Sequence, residues 1–162
     1  FMINSKVIVP MCGVYGNRYG SGWSLYKASD FLEELEKIFV YLDGGKTEGA
    51  DISSILHGYN YSNKYNGEKI QSKYFDVEFK KKGTAHIWFA NAELLKKFNI
   101  FGCQKHGWLP NSYGHKRYKD MSKEEQEVIK SFEGEKSYEK TVENPQYYLS
   151  GNQILQIGMS EQ

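Results

Sequence analysis

The sequence predicts an α+β domain: a small antiparallel sheet, centred on a hairpin at about residues 73–89, packed by three to four short helices. Three observations carry this expectation. Residues 73–80 alternate, with Phe75, Val77 and Phe79 on one side and Tyr74, Asp76, Glu78 and Lys80 on the other. Residues 31–42 instead space apolar groups at the helical period, with Phe31, Leu32, Leu35, Ile38, Phe39 and Leu42 on one stripe. Ser122-Lys-Glu-Glu125 is a capping-box sequence that opens a helix. At 162 residues the chain suits one domain, expected over 1–149, with a frayed tail at 150–162.

Taken in order, Lys6 to Met11 reads as a short strand that Pro10 places at an edge or ends. Gly13 to Gly22 is glycine-rich and reads as loop; it has neither the G-x-G-x-x-G nor the GK[ST] spacing of a phosphate-binding turn. A helix starts near Ser29 or Asp30, turns Glu33, Glu34, Glu36 and Lys37 outward, and stops at Gly44-Gly45. A second short helix spans about Asp51 to His57, ended by Gly58, and 58–69 reads as loop. The hairpin turns at Lys81-Lys82-Gly83 and returns along Thr84 to Phe89, burying Ala85, Ile87 and Phe89 and leaving His86 and Trp88 on the opposite face. Asn91 caps a helix bearing Leu94, Leu95 and Phe98; periodicity then fades from Asn99 to Met121, so a long loop is expected. The capping-box helix turns Val128, Ile129 and Phe132 inward and stops at Gly134. A last helical turn or two around Tyr138 and Val142 ends at Asn144-Pro145.

Composition excludes several classes. With 40% hydrophobic and 15% aromatic residues the chain is not disordered. No apolar run approaches the roughly 20 residues of a membrane span, and no signal pattern opens the chain. Cys12 and Cys103 make no disulfide framework. A cytoplasmic protein without a membrane partner is expected. Phe1 ahead of Met2 reads as a cloning remnant before a natural start, which would make this a freestanding small protein.

Net charge is only +1, but between Lys80 and Lys119 nine Lys or Arg face one acid, Glu93. One-sign segregation steers a partner of opposite charge. Within that segment lie Lys80, Lys81 and Lys82 at the hairpin turn, and then Lys105, His106, Trp108, Tyr113, His115, Lys116, Arg117, Tyr118 and Lys119. Cations interleaved with aromatics suit phosphates and stacked bases, so these residues are the candidate nucleic-acid or partner interface. A loop of about 20 residues inside a domain is itself a pointer to function. The competing reading has Trp108, Leu109 and Tyr113 pinning the loop to the core.

Catalytic and metal signals are thin. His86 is the one catalytic candidate; it shares a strand face with Asp76 or Glu78, which would orient its imidazole. Cys103 and His106 stand in C-x-x-H spacing with His115 beyond, but zinc takes four ligands, and Cys12 and His57 are distant in sequence. No metal or cofactor is expected.

Several stretches resemble an uncharacterised phage and prophage domain that often ends phage-type adenine DNA methyltransferases or neighbours SNF2-like helicases. The resemblance rests on Tyr74 to Phe89, Leu94 to Gly102, Gly107-Trp-Leu-Pro-Asn-Ser-Tyr-Gly114, the stretch from Tyr118 to Gly134, and Glu36 to Gly45. It spans about residues 25–148. It implies a DNA-associated or phage–host conflict setting. It does not imply methyl transfer, because Asn144-Pro145-Gln-Tyr lacks the second proline of the methyltransferase motif. The expected function is therefore a non-enzymatic nucleic-acid-binding accessory module. The alternatives are an anti-CRISPR-like counter-defence inhibitor that binds a host nucleic-acid-processing complex, and a histidine-dependent nuclease.

Overall fold

The computed structural model describes residues 2–17 and 20–149; the expected tail at 150–162 lies outside them. The fold is α+β, with a four-stranded antiparallel sheet, a two-stranded sheet and more helices than the three to four expected. The chain divides into two compact units. One is Ile3–Leu95; the other comprises the described residues of Phe1–Met2 and Lys96–Gln162.

In the first unit, β5 (Phe75–Lys80) and β6 (Thr84–Phe89) form the expected hairpin. Gly83 closes its turn at φ +82°, a left-handed conformation that favours glycine, and donates its N–H to the Lys80 carbonyl at 2.9 Å. β1 (Lys6–Pro10) pairs with β6 and β4 (Ile70–Gln71) with β5, giving the order β1-β6-β5-β4. Pro10 thus ends an edge strand, where its missing N–H breaks no central ladder. Phe75, Val77, Phe79, Ala85, Ile87 and Phe89 are all buried. Each large side chain among them contributes about 1.5–3 kcal/mol by leaving water.

α1 (Tyr26–Leu42) covers this inner face; the Phe39 ring stacks on Phe89 at 5.3 Å. The helix starts three residues before the expected Ser29, because Asn60 accepts the Leu25 N–H at 2.9 Å and fixes its first turn. Its buried positions are Ala28, Leu32, Leu35, Glu36, Phe39 and Leu42. Phe31, expected on the stripe, is exposed, and Glu36, expected outside, is buried. The Glu36 carboxylate accepts the Ile52 N–H at the start of α2 (Ile52–Ser62), and this offsets part of the cost of burying it. α2 runs through Gly58, where the sequence suggests a stop, and ends at Asn63 with φ +50°. The glycine-rich stretch is not plain loop either. β2 (Tyr15–Asn17) pairs with β3 (Gly20–Trp23), and Tyr15 meets Trp23 edge-on at 4.7 Å. Arg18 and Tyr19 between them lie outside the described residues.

α3 (Ala92–Lys105) carries the chain from the first unit into the second. Asn91 caps it as expected, accepting the Glu93 and Leu94 N–H groups. It continues seven residues past Phe98, through Gly102, because Ile100 and Cys103 enter a core at helical spacing. The long loop is correspondingly shorter. α4 (Lys123–Phe132) opens on the complete Ser122–Glu125 capping box, and α5 (Glu135–Glu143) ends before Asn144-Pro145. Residues 145–149 are again helical, with Pro145 at the first position, where its missing N–H costs nothing. The second core comprises Ile100, Cys103, Leu109, Tyr113, Met121, Ile129, Phe132, Tyr138 and Leu149.

Candidate functional site

The face of the four-stranded sheet that α1 leaves uncovered presents a built aromatic centre. Lys6, Trp88, Asp76 and Gln71 form one row across its four strands, and Ile8, His86 and Glu78 form the next. The Lys69 Nζ lies 4.1 Å from the Trp88 ring centroid and the Lys6 Nζ 4.9 Å from it. The His86 ring is 5.9 Å away, and Ile8 is 58% exposed. Asp76 is paired with Lys69 at 4.0 Å and Glu78 with Lys80. The Lys80 ammonium holds the Glu78 carboxyl below the usual range. Lysines therefore outnumber carboxylates on this face, and Lys81 and Lys82 add charge at its hairpin end. Sequence reasoning places His86 and Trp88 here. It misses Lys6 and Lys69, whose only signal is the alternation along β1 and, for Lys69, its place two residues before Gln71 on β4.

The basic segment is divided by the fold. Lys80, Lys81 and Lys82 belong to the first unit, and Lys105 through Lys119 to the second. Residues 3–95 carry eleven basic and eleven acidic side chains, and residues 96–149 ten and eight. The charge run is thus offset inside each unit by acids from elsewhere in the chain, and the segregation is weaker than the linear sequence suggests.

Within the second unit the expected interface residues separate by environment. Lys105 ends α3, and the His106 and Trp108 rings stack at 4.7 Å, with Trp108 49% exposed. His115, Lys116, Arg117 and Lys119 are exposed, with Lys116 4.0 Å from Glu125. Tyr113 is different. Its ring lies inside the core against Phe132 and Tyr138, and its hydroxyl donates to Glu133. Burial beside that carboxylate pushes the phenol well above its ordinary range. Tyr113 is a structural anchor and offers no ring to a base. Tyr118 packs against the same core and donates its backbone N–H to Glu139 at 3.0 Å. The Tyr138 hydroxyl pins the turn, accepting the Gly114 N–H at 3.1 Å and donating to the Lys116 carbonyl at 2.6 Å.

Trp108 also walls an open groove of about 540 Å³, lined by Met2, Cys103, Leu109, Glu124, Glu127, Val128, Ser131 and Phe132. Val128, expected inward, is 38% exposed here, because the apolar stripe of α4 is wider than the core it covers.

Other chemistry has less support. Register places His86 directly opposite Glu78 on β5. Cys103 is buried, and burial pushes its thiol up, away from the reactive thiolate. Among the described residues, no three His, Cys, Asp or Glu gather as metal ligands would. A shallow cleft of about 370 Å³ between α1 and α2 holds Tyr26, Ser29, Ser53, Ser54 and His57. There Ser29 donates to Glu33 at 2.9 Å, and bonds from Ser53 and Ser29 hold the Glu33 carboxyl low. Those hydroxyls tie the two helices together.

No helix among the described residues is long and apolar enough to cross a membrane. No curated protein and no solved structure matches the chain. A family does match, over residues 1–108, a span that includes the open sheet face, all of α3 and Trp108. The chain belongs to that family, the domain of unknown function DUF4942.

Proposed function

We propose that this chain is a non-enzymatic nucleic-acid-binding accessory module of a phage or other mobile element, acting on DNA in the host cytoplasm. The observation that supports this reading most is Trp88, set on a strand between two lysines on the open sheet face. Magnitudes favour a stacked base over the present contact. Base–aromatic stacking is worth about 1–3 kcal/mol, whereas an exposed cation–π contact is worth about 0.5–1 kcal/mol. A base therefore displaces Lys69 from the ring, and the released ammonium reaches a phosphate. Single strands suit this platform better than duplex, whose bases are already stacked. Exposed Lys105, His115, Lys116, Arg117 and Lys119 are available for further phosphate contacts.

Anisotropy titration of labelled single-stranded and duplex DNA across a salt series tests the reading. Trp88→Ala is expected to weaken single-strand binding about 10- to 100-fold, the equivalent of one missing stack. Replacing Lys6 and Lys69 by Ala is expected to shallow the log–log salt slope by about 0.7 for each phosphate that is no longer neutralised. No binding at low salt, or Trp88→Ala binding like the parent, ends this reading.

Two alternatives have an observation each. The groove beside Trp108 favours a protein partner, as a counter-defence inhibitor of a host nuclease complex requires. The His86–Glu78 pairing favours a histidine-dependent nuclease. A nicking assay in which His86→Ala retains whatever cleavage the parent shows removes the latter.

A further inference from the structure

We infer that the groove of the second unit is the docking site for a basic amphipathic helix of a partner protein. Its floor is buried and apolar: Cys103 on α3, Leu109 on the loop and Phe132 on α4. Its walls are large apolar side chains left in solvent, with Trp108 49%, Met2 46% and Val128 38% exposed. Exposed apolar residues are ordinary singly, but three around one concavity mark a contact site. An indole beside a groove is also the residue type that most often dominates a protein interface.

The polar lining decides the sign of the partner. Glu124, Glu127, Val128 and Ser131 recur at the spacing of one helical face, so α4 turns two carboxylates and a methyl-bearing side chain into the same groove. Glu124 stays ionised, its carboxyl held low by the amides and hydroxyl at the helix start. Two carboxylates repel phosphate and attract lysine or arginine. Trp108 therefore serves a different ligand from the nucleic acid that its place in a basic segment suggests.

The shape decides the form of the partner. Two helices, a loop and the N-terminal segment at Met2 line the groove, and among the described residues its lining includes no strand to which an extended peptide could add. Helix-in-groove recognition, with apolar anchors one and two turns apart, is the mode that remains. Lysines on the flanks of such a helix meet Glu124 and Glu127. This inference is independent of the nucleic-acid reading, since none of its residues lies in Ile3–Leu95.

The test uses the full chain and a labelled peptide of about five helical turns, with leucine on one face and lysine on the other. A second peptide carries glutamate in place of lysine. Saturable binding of the lysine peptide is expected, with the glutamate peptide at least about tenfold weaker. Trp108→Ala is expected to weaken the lysine peptide about tenfold or more. The pair Glu124→Gln with Glu127→Gln is expected to weaken it about fivefold. Because both carboxylates sit on the helix surface, thermal melts of that pair confirm that the fold is intact. Equal binding of the two peptides, or an unchanged affinity in the glutamine pair, overturns the inference. So does competition by a single-stranded oligonucleotide, which assigns the groove to nucleic acid. Self-association of the chain that Val128→Asp abolishes assigns it to a second copy and overturns it likewise. A failed Trp88→Ala result in the DNA titration leaves this outcome untouched, so the two readings fall separately.

Discussion

Trp88 and Trp108 are both indoles reachable from solvent, yet the fold holds them by opposite means. Trp88 stands on a central strand, its position set by backbone pairing on both sides and its ring flanked by two ammonium groups. Trp108 stands on an irregular segment after α3, its ring stacked on His106 and its groove lined by two carboxylates. The strand residue is placed by a hydrogen-bonded ladder that few single substitutions displace. The loop residue is held by a backbone bond at the end of α3, its N–H donating to the Cys103 carbonyl at 2.8 Å, and the turn that follows it depends on the Tyr138 hydroxyl, which one substitution removes. An aromatic ring alone thus says little about its ligand; the charge around it and the stiffness beneath it say more.

That contrast can be broken most directly at Tyr138. Tyr138→Phe removes the hydroxyl that serves Gly114 and Lys116, leaving a buried N–H unpaired at a cost of about 1–3 kcal/mol. Thermal denaturation should record the destabilisation, and peptide binding in the groove should weaken with it. DNA binding through the sheet face should stay within about twofold, a change of under 0.5 kcal/mol. An equal weakening at both surfaces would show that the loop and the sheet face are not independent.

A smaller effect is expected at Glu36, within the first unit. Burial raises its carboxyl above the ordinary 4.5, outweighing the Ile52 hydrogen bond that lowers it. The folded state thus holds this proton more tightly than the unfolded chain. The stability it contributes is full below about pH 4.5 and is lost as pH rises through the raised folded value. Glu36→Gln should flatten that decline in denaturant titrations at a series of pH values. Glu36→Ala should also cost about 1 kcal/mol by uncapping α2.

The smallest effect belongs to Lys116→Ala. The pair with Glu125 at 4.0 Å is exposed, so stability should change by less than about 0.5 kcal/mol. Its value lies in the salt series. A slope reduced by about 0.7 with single-stranded DNA would bring the basic turn into the nucleic-acid site. An unchanged slope confines that site to the sheet.

The hairpin and the α4 cap were legible in the sequence because each is local: alternation plus a Gly turn, and four residues that satisfy each other's amides. Helix ends were less so. Gly58 reads as a stop and Gly102 falls in the expected loop, but α2 and α3 run through them. On α3, Ile100 and Cys103 on either side of Gly102 leave water, and their burial outweighs the glycine cost of about 1 kcal/mol. The candidate site was legible in its residue types and not in its arrangement. The sequence leaves Tyr113 open between an interface and, in the competing reading, a core anchor; nothing linear tells that Lys69 reaches Trp88 across β5 or that Glu36 turns inward.

The pairing of α1 with α2 couples their folding. The start of α1 is tied by the Asn60 side chain of α2, and the start of α2 is tied by the Glu36 side chain of α1. Each helix supplies the other's missing first-turn acceptor. Neither gains that bond until both are wound and docked, so the two should form in a single kinetic step. In hydrogen–deuterium exchange the amides of Leu25 and Ile52 should then open together, at one common rate, although 26 residues of chain lie between them.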